Sequence, residues 1–336
     1  MKAEKTAYFI YCILVFVMIT CVTGCSDNTD RDADFDLMIG SFNYELSVVM
    51  DDAQNLSKAL SRAYANASSY VPSIDKSGYR MFENGIFYSA DHDINVSVIA
   101  SGYVPVDDSV KEVAYLTQAV DPLLVSIVSD NPFVIQAWYL SKESVCRLSP
   151  AMSRHEVVPG SDLTDYLFYN LAAPYKNFGR TKVWTKEPYV DPAGRGWMIS
   201  ALAPVYYNDQ FCGVAGVDIA VENIIEQYIP AAIKSRIIVI DSRGSTVWSG
   251  AQAGKVFGIP ELRDHKYFEM IYQDTFRSDD YSILKSRKRA VRKLARAILN
   301  SDKGFFELES DGESYSLFVQ KISSLDWTII EVDKGQ

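Results

Sequence analysis

Little in this 336-residue sequence is equipped for covalent chemistry. It holds three histidines and five cysteines. His92, His155 and His265 stand far apart, and a metal site needs clustered ligands, so no metal is expected. There is no GxxxxGK followed by Ser or Thr, no HExxH, no GxSxG and no CxxC. No catalytic residue, cofactor or enzymatic activity is expected. Positive charge is also short, with 33 Lys and Arg against 43 Asp and Glu and a net charge of -10. A nucleic-acid binder needs a basic surface for phosphate contacts, so that class is excluded. What remains is 48% hydrophobic, enough for folded domains.

The N-terminus carries an address. Lys2 and Lys5 precede an apolar run from Ala7 to Val22, and "VTGC" closes it at Cys25. A basic start, an apolar core and small residues at the cut make a secretory signal over 1–24. The cysteine after Gly24 resembles the lipid acceptor of a bacterial lipobox, which makes the chain an extracytoplasmic lipoprotein held at a membrane through Cys25. The alternative is an uncleaved transmembrane anchor, since the run approaches the ~18 residues of a span. Cys12 and Cys21 leave with the signal. Cys146 and Cys212 then remain, as a disulfide or as free thiols.

The acidic stretch 25–34 reads as a flexible tether. From Phe35, apolar residues recur in three- and four-residue steps through Phe42, Leu46, Val49, Ala53, Leu56, Leu60 and Ala63. This spacing predicts a spine helix over 35–72, a possible homodimer seam, roughly 45–50 Å long. Short β-rich runs follow, among them "FVIQAWYLS", "GWMISALAPVYY" and "QFCGVAGVDIAV". Helical periods interrupt them at "SVKEVAYLTQAVDPLLVSIVSDNP" and "VENIIEQYIPAAIK". A second β-rich unit opens at "RIIVIDSRGSTVWSG" and closes with three strands after Gly304. Both halves show the same order of elements, so the expected fold is α+β, two modules with antiparallel sheets over 73–225 and 226–336 on one long helix. One charge run stands out. Seven cations lie between Lys285 and Arg296 with no acid among them, and apolar Leu284, Val291, Leu294 and Ile298 share the segment. A solvated helix face is the plain reading; contact with anionic lipid or an acidic partner is the other.

The stretch from Trp184 to Ile224 resembles the double Cache (dCache) family of extracytoplasmic sensor domains, which carry two PAS-like sheets on a long helix. "WTKEPYVD", a strand ending "APVY", a tight turn and "GVAGVDI" follow the membrane-distal module of that family in order. The segment "DLTDYLFYNLA" (Asp162 to Ala172) occupies the place of a family segment ending in an aromatic pair, here Phe168-Tyr169. The resemblance implies a ligand pocket in the 73–225 module. It implies that Tyr189, Asp191 and Asp218 receive the ammonium of the ligand, and that Tyr166 stands where amino-acid binders keep a carboxylate-holding base. Lys182 or Arg180 could loop back to replace that base. The candidate ligand residues are thus Tyr166, Phe168, Tyr169, Trp184, Tyr189, Asp191 and Asp218; Asp218 reads otherwise as an N-cap for a helix near Val221, and Trp184, like Trp138, as a core residue. The implied function is a sensor for a small amine or amino-acid-like molecule that signals through a separate transmembrane protein. The alternatives are a solute-binding lipoprotein serving a transporter, or an envelope protein with a vestigial pocket.

Overall fold

The structure is a computed structural model and describes residues 28–90, 95–191, 196–260 and 281–335. The signal segment, Cys25, His92, His265 and the acidic pair Asp279-Asp280 lie outside the described residues. The first helix, α1, spans Asn28–Ala65. It therefore takes in residues 28–34, which the acidic composition had assigned to a tether. Those residues begin the helix. At its other end α1 stops at Ala65, short of the expected 72, and a short helix Ala67–Tyr70 and a turn Val71–Ser73 follow.

Residues 41–336 form one compact unit that contains two sheets. The first sheet begins with β1 (Arg80–Met81), β2 (Phe87–Ala90) and β3 (Ser97–Ala100). Helices α2 (Asp108–Leu116) and α3 (Asp121–Asp130) come next. Asp107 starts α2 by accepting the backbone N–H groups of Ser109 and Val110. Strands β4 (Val134–Ser141) and β5 (Val145–Ser149), helix α4 (Leu167–Ala172), and strands β6 (Val183–Trp184), β7 (Tyr189–Val190), β8 (Trp197–Tyr207) and β9 (Gln210–Ala220) complete the module. The strand order is β1-β2-β3-β5-β4-β9-β8-β6, with β7 beside β8.

Helix α5 (Val221–Tyr228) leads away from β9. The second sheet is built from β10 (Ile237–Ile240), β11 (Thr246–Ser249), β12 (Lys303–Ser310), β13 (Glu313–Ile322) and β14 (Trp327–Lys334), with α6 (Ala251–Phe257) and α7 (Arg289–Leu299) between β11 and β12. Its order is β11-β10-β14-β13-β12. Counted from β4 and leaving out β7, the run β5-β4-β9-β8-β6 of the first sheet follows the same plan, second strand, then first, fifth, fourth and third, and β3, β2 and β1 extend it beyond β5. Two sheets of one topology thus occur in a chain with no visible sequence repeat. All strand pairings within both sheets are antiparallel.

The apolar stripe of α1 is buried at Phe42, Leu46, Val49, Ala53, Leu56, Leu60 and Ala63. From residue 41 onward the helix touches both modules. Toward its start, Asn43 accepts from Ser324 Oγ at 2.6 Å and Phe42 meets Tyr228 edge-on at 5.5 Å. Toward its end, Ser57 Oγ donates to Pro204 O at 2.8 Å, and the hydroxyls of Tyr64 and Tyr139 are 2.8 Å apart. Tyr139 also donates to Cys212 O at 2.8 Å. Cys146 and Cys212 are free thiols, so the disulfide alternative is not realised.

Candidate functional site

The first sheet carries a row of polar residues across three strands. Gln136 on β4 pairs in register with Asp218 on β9, and Asp218 pairs with Ser200 on β8. All three are buried, Asp218 completely. Side chains alternate along a strand, so Gln136, Trp138 and Leu140 share one face of β4. That face is open at Trp138, because its partner across the ladder is Gly216. A Cβ on Gly216 would lie 2.2–2.7 Å from the indole. Glycine therefore lets the ring lie flat against β9 and aim its N–H at the carboxylate.

Asp218 Oδ2 accepts from Gln136 Nε2 at 2.5 Å and from Trp138 Nε1 at 2.8 Å. Its other oxygen, Oδ1, makes no hydrogen bond, and neither does Gln136 Oε1. Burial pushes the Asp218 carboxyl up to about 7; the nearby Ser200 hydroxyl, Gln136 and Trp138 oppose that shift, and the charge of Asp191 adds to it. Ser200 Oγ is itself 2.6 Å from the hydroxyl of Tyr189. That phenol is held protonated well above its ordinary value, first by burial and then by the charge on Asp218.

These residues line a cavity of about 130 Å³. One water needs ~10–15 Å³ on the same measure, so the space suits a small organic molecule. Its wall combines the sheet face (Ile99, Gln136, Trp138, Leu140, Cys146, Leu148, Asp218) with the segment that crosses over it (Met152, Val157, Leu163, Tyr166, Phe168) and with Tyr189 and Asp191. Phe168 is the centre of an aromatic group. Its ring is 5.0 Å from Trp138, 5.2 Å from Tyr166 in a stacked arrangement, and 5.4 Å from Tyr189. The charged residues of the lining are Glu156, Asp191 and Asp218; no Lys, Arg or His belongs to it among the described residues.

Of the seven ligand residues expected from the sequence, five meet at this cavity: Tyr166, Phe168, Tyr189, Asp191 and Asp218. Tyr169 does not; it faces the core and packs on Phe211 at 6.0 Å. Trp184 lies half-buried on β6, outside the lining. The N-cap alternative for Asp218 fails, since α5 begins after Ala220 with no side-chain cap. The looping-back alternative fails too. Arg180 pairs with Asp209 at 2.9 Å and stacks on Tyr206, and Lys182 pairs with Asp51 at 2.6 Å. Trp138, read from sequence as core, is a cavity wall and an Asp218 donor. Gln136 was missed. Its signal was a lone amide inside the apolar strand "FVIQAWYL".

No family model matches the sequence, and no curated protein matches it. Solved structures do match. The ligand-binding domain of the Pseudomonas aeruginosa PAO1 amino acid chemoreceptor PctB, in complex with L-Arg, aligns with a TM-score of 0.50 at 14% identity, over 89% of this chain and 91% of that chain. The fold is of the double Cache type. Two other chemoreceptor domains align at lower scores. The ligand-binding domain of Pseudomonas fluorescens CtaA with L-alanine gives a TM-score of 0.48 at 14% identity, over 92% of this chain and 97% of that one. The sensory domain of Campylobacter jejuni Tlp3 with isoleucine gives 0.41 at 12%, over 93% and 98%. Within the double Cache fold of this chain, the cavity belongs to the first sheet. No group of His, Cys, Asp and Glu suited to a metal occurs among the described residues, and no described helix is long and apolar enough to cross a membrane.

Proposed function

We propose that this chain is a small-molecule sensor, held outside the cytoplasm through a lipid on Cys25, which binds an amine in the cavity of its first sheet and signals through a separate transmembrane protein. One observation carries the ligand class. Asp218 Oδ1 and Gln136 Oε1 are buried acceptors that no donor meets at hydrogen-bonding geometry, and the Ser200 hydroxyl beside the carboxylate is shared with Tyr189. A buried acceptor without a partner costs roughly 1–3 kcal/mol, so the site is built for a ligand that brings donors. An ammonium brings three and no acceptor. Its bonds to a carboxylate are charge-assisted, and the ring faces of Phe168 and Tyr189 add cation–π attraction. The PctB domain of the same fold is in complex with an amino acid. Here Tyr166 replaces the base that would hold a carboxylate, so an amine fits better than a zwitterion. The chain releases its ligand unchanged; no enzymatic step belongs to this reading.

Calorimetry of the purified protein against matched pairs, each an amino acid and its decarboxylated amine, tests it. The amine is expected to bind more tightly in each pair. Tighter binding of the amino acids overturns the preference. Asp218→Ala is expected to weaken amine binding by about 10- to 100-fold, from the roughly 1.5–3 kcal/mol of a charged hydrogen bond.

A further inference from the structure

Helix α7 is a strongly basic surface on an acidic protein. Between Lys285 and Arg296 the sequence places seven cations and no acid. The structure divides the segment cleanly. Val291, Ala295 and Ile298 are buried against Ile238, Ile240 and Leu317 of the second sheet. Arg287, Arg289, Arg292, Lys293 and Arg296 are exposed. Lys288 pairs with Asp311 at 2.6 Å, and Arg292 donates to the Ser286 carbonyl. Arg287, Arg289, Lys293 and Arg296 face no acidic partner among the described residues.

Helix stability explains Arg296 in the last turn, but not the cations at the start. Cations are unfavourable in the first turn of a helix, where the dipole is positive. Yet α7 starts at Arg289 after Lys288, has no acid in its first turn and no side-chain cap. A helix selected only to cover the sheet would carry Asp or Glu there. The apolar face is already used in the core, so this helix cannot insert into a bilayer. It can offer only a flat array of charge.

We infer that the exposed face of α7 docks on the anionic phospholipid headgroups of the membrane that holds the chain. The inference rests on the membrane attachment proposed above and not on the ligand. Net charge of -10 repels the rest of the molecule from such a surface, so α7 also sets which side faces the membrane. Headgroup contact without insertion is electrostatic and must weaken with salt.

The full chain, reconstituted in vesicles of phosphatidylcholine alone or with added phosphatidylglycerol, decides it through the acylation rate of single lysines. Lys293 is expected to react about fivefold more slowly on the anionic vesicles at low salt, and to recover at high salt, while Lys176 on the first module stays unchanged. In the triple variant Arg289→Glu, Lys293→Glu, Arg296→Glu, Lys285 reports instead. Its protection should vanish while the chain still melts cooperatively, because Glu at 289 suits the helix start and offsets the loss of Arg296 from the last turn. Equal labelling on both vesicle types, in a chain that floats with both, overturns the docking. A chain that floats with neither overturns the membrane attachment and the docking with it. Protection seen only on native membranes with their proteins would replace lipid by an acidic protein partner.

Discussion

Asp218 is a carboxyl that the fold makes expensive to ionise. Its pKa rises from the ordinary 3.8 to about 7 on folding, so the native chain holds a proton that the unfolded chain has lost between those values. The stability it contributes is complete below pH ~4 and is lost as pH climbs through ~7, a change on the order of a few kcal/mol. Asp218→Asn cannot ionise and should raise the melting temperature at pH 8 with little effect at pH 3.5, while abolishing amine binding. That trade of stability for a site is familiar; thermal unfolding and calorimetry at both pH values check it. An ammonium binds the ionised form, so affinity should improve about tenfold from pH 6 to pH 8, with a proton released to buffer. Calorimetry in buffers of different ionisation enthalpy reads that proton directly. At this scale the sequence was only half legible. Asp218, Asp191 and Tyr189 were visible because an acid or a phenol beside an apolar strand is conspicuous. Gln136 was hidden, since nothing local says that a cross-strand carboxylate will sit opposite it, and Tyr169 and Trp184 were misplaced because an aromatic looks the same whether it faces a core or a cavity.

Elements carry the next set of expectations. The ladder of β4 and β9 allows an indole only because Gly216 has no side chain. Gly216→Ala would place a methyl within 2.2 Å of Trp138. Overpacking of this kind typically costs 1–3 kcal/mol, and here it also turns the Trp138 N–H away from Asp218. Denaturant unfolding and tryptophan fluorescence report the two effects separately. A second element-level joint is Arg147 on β5. Its guanidinium is buried and meets both oxygens of Asp121 at 2.8 and 2.9 Å, the Tyr79 hydroxyl at 3.0 Å and the Ala114 carbonyl at 2.6 Å. It ties α2 and α3 to the sheet. Arg147→Met should cost about 3 kcal/mol by leaving Asp121 partly buried without its counter-charge, seen as a lower urea midpoint. Strands and helices were legible because alternation and three-four spacing survive without knowledge of the partner. The start of α1 was not. A polar composition suits a solvated chain and the exposed first turns of a helix equally, and composition alone does not choose between the two.

For the whole molecule, two sheets of one strand order divide the work. The first keeps an open face with unpaired acceptors. In the second, the face with Ile238, Ile240, Ile330 and Val332 is closed by α6 and α7, and Glu331 is neutralised by Arg236 at 2.8 Å. Attachment belongs to this scale as well. Cys25→Ser should leave the chain unacylated and either released or unprocessed, as mass measurement and membrane fractionation would show; normal mass and fractionation would end the lipoprotein reading.

The hydroxyl contact between Tyr64 and Tyr139 gives the cavity a mechanical connection. On β4, Trp138 and Leu140 look into the cavity while Tyr139, between them, looks out toward α1. A wall that tightens on its contents therefore loads a strand fastened on its reverse side to a long rod. From Tyr64 back to Phe42 that rod measures about 33 Å. One degree of tilt at the fastened end displaces the other by roughly half an ångström, which is leverage, drawn from the phenol pair and the Ser57–Pro204 bond beside it.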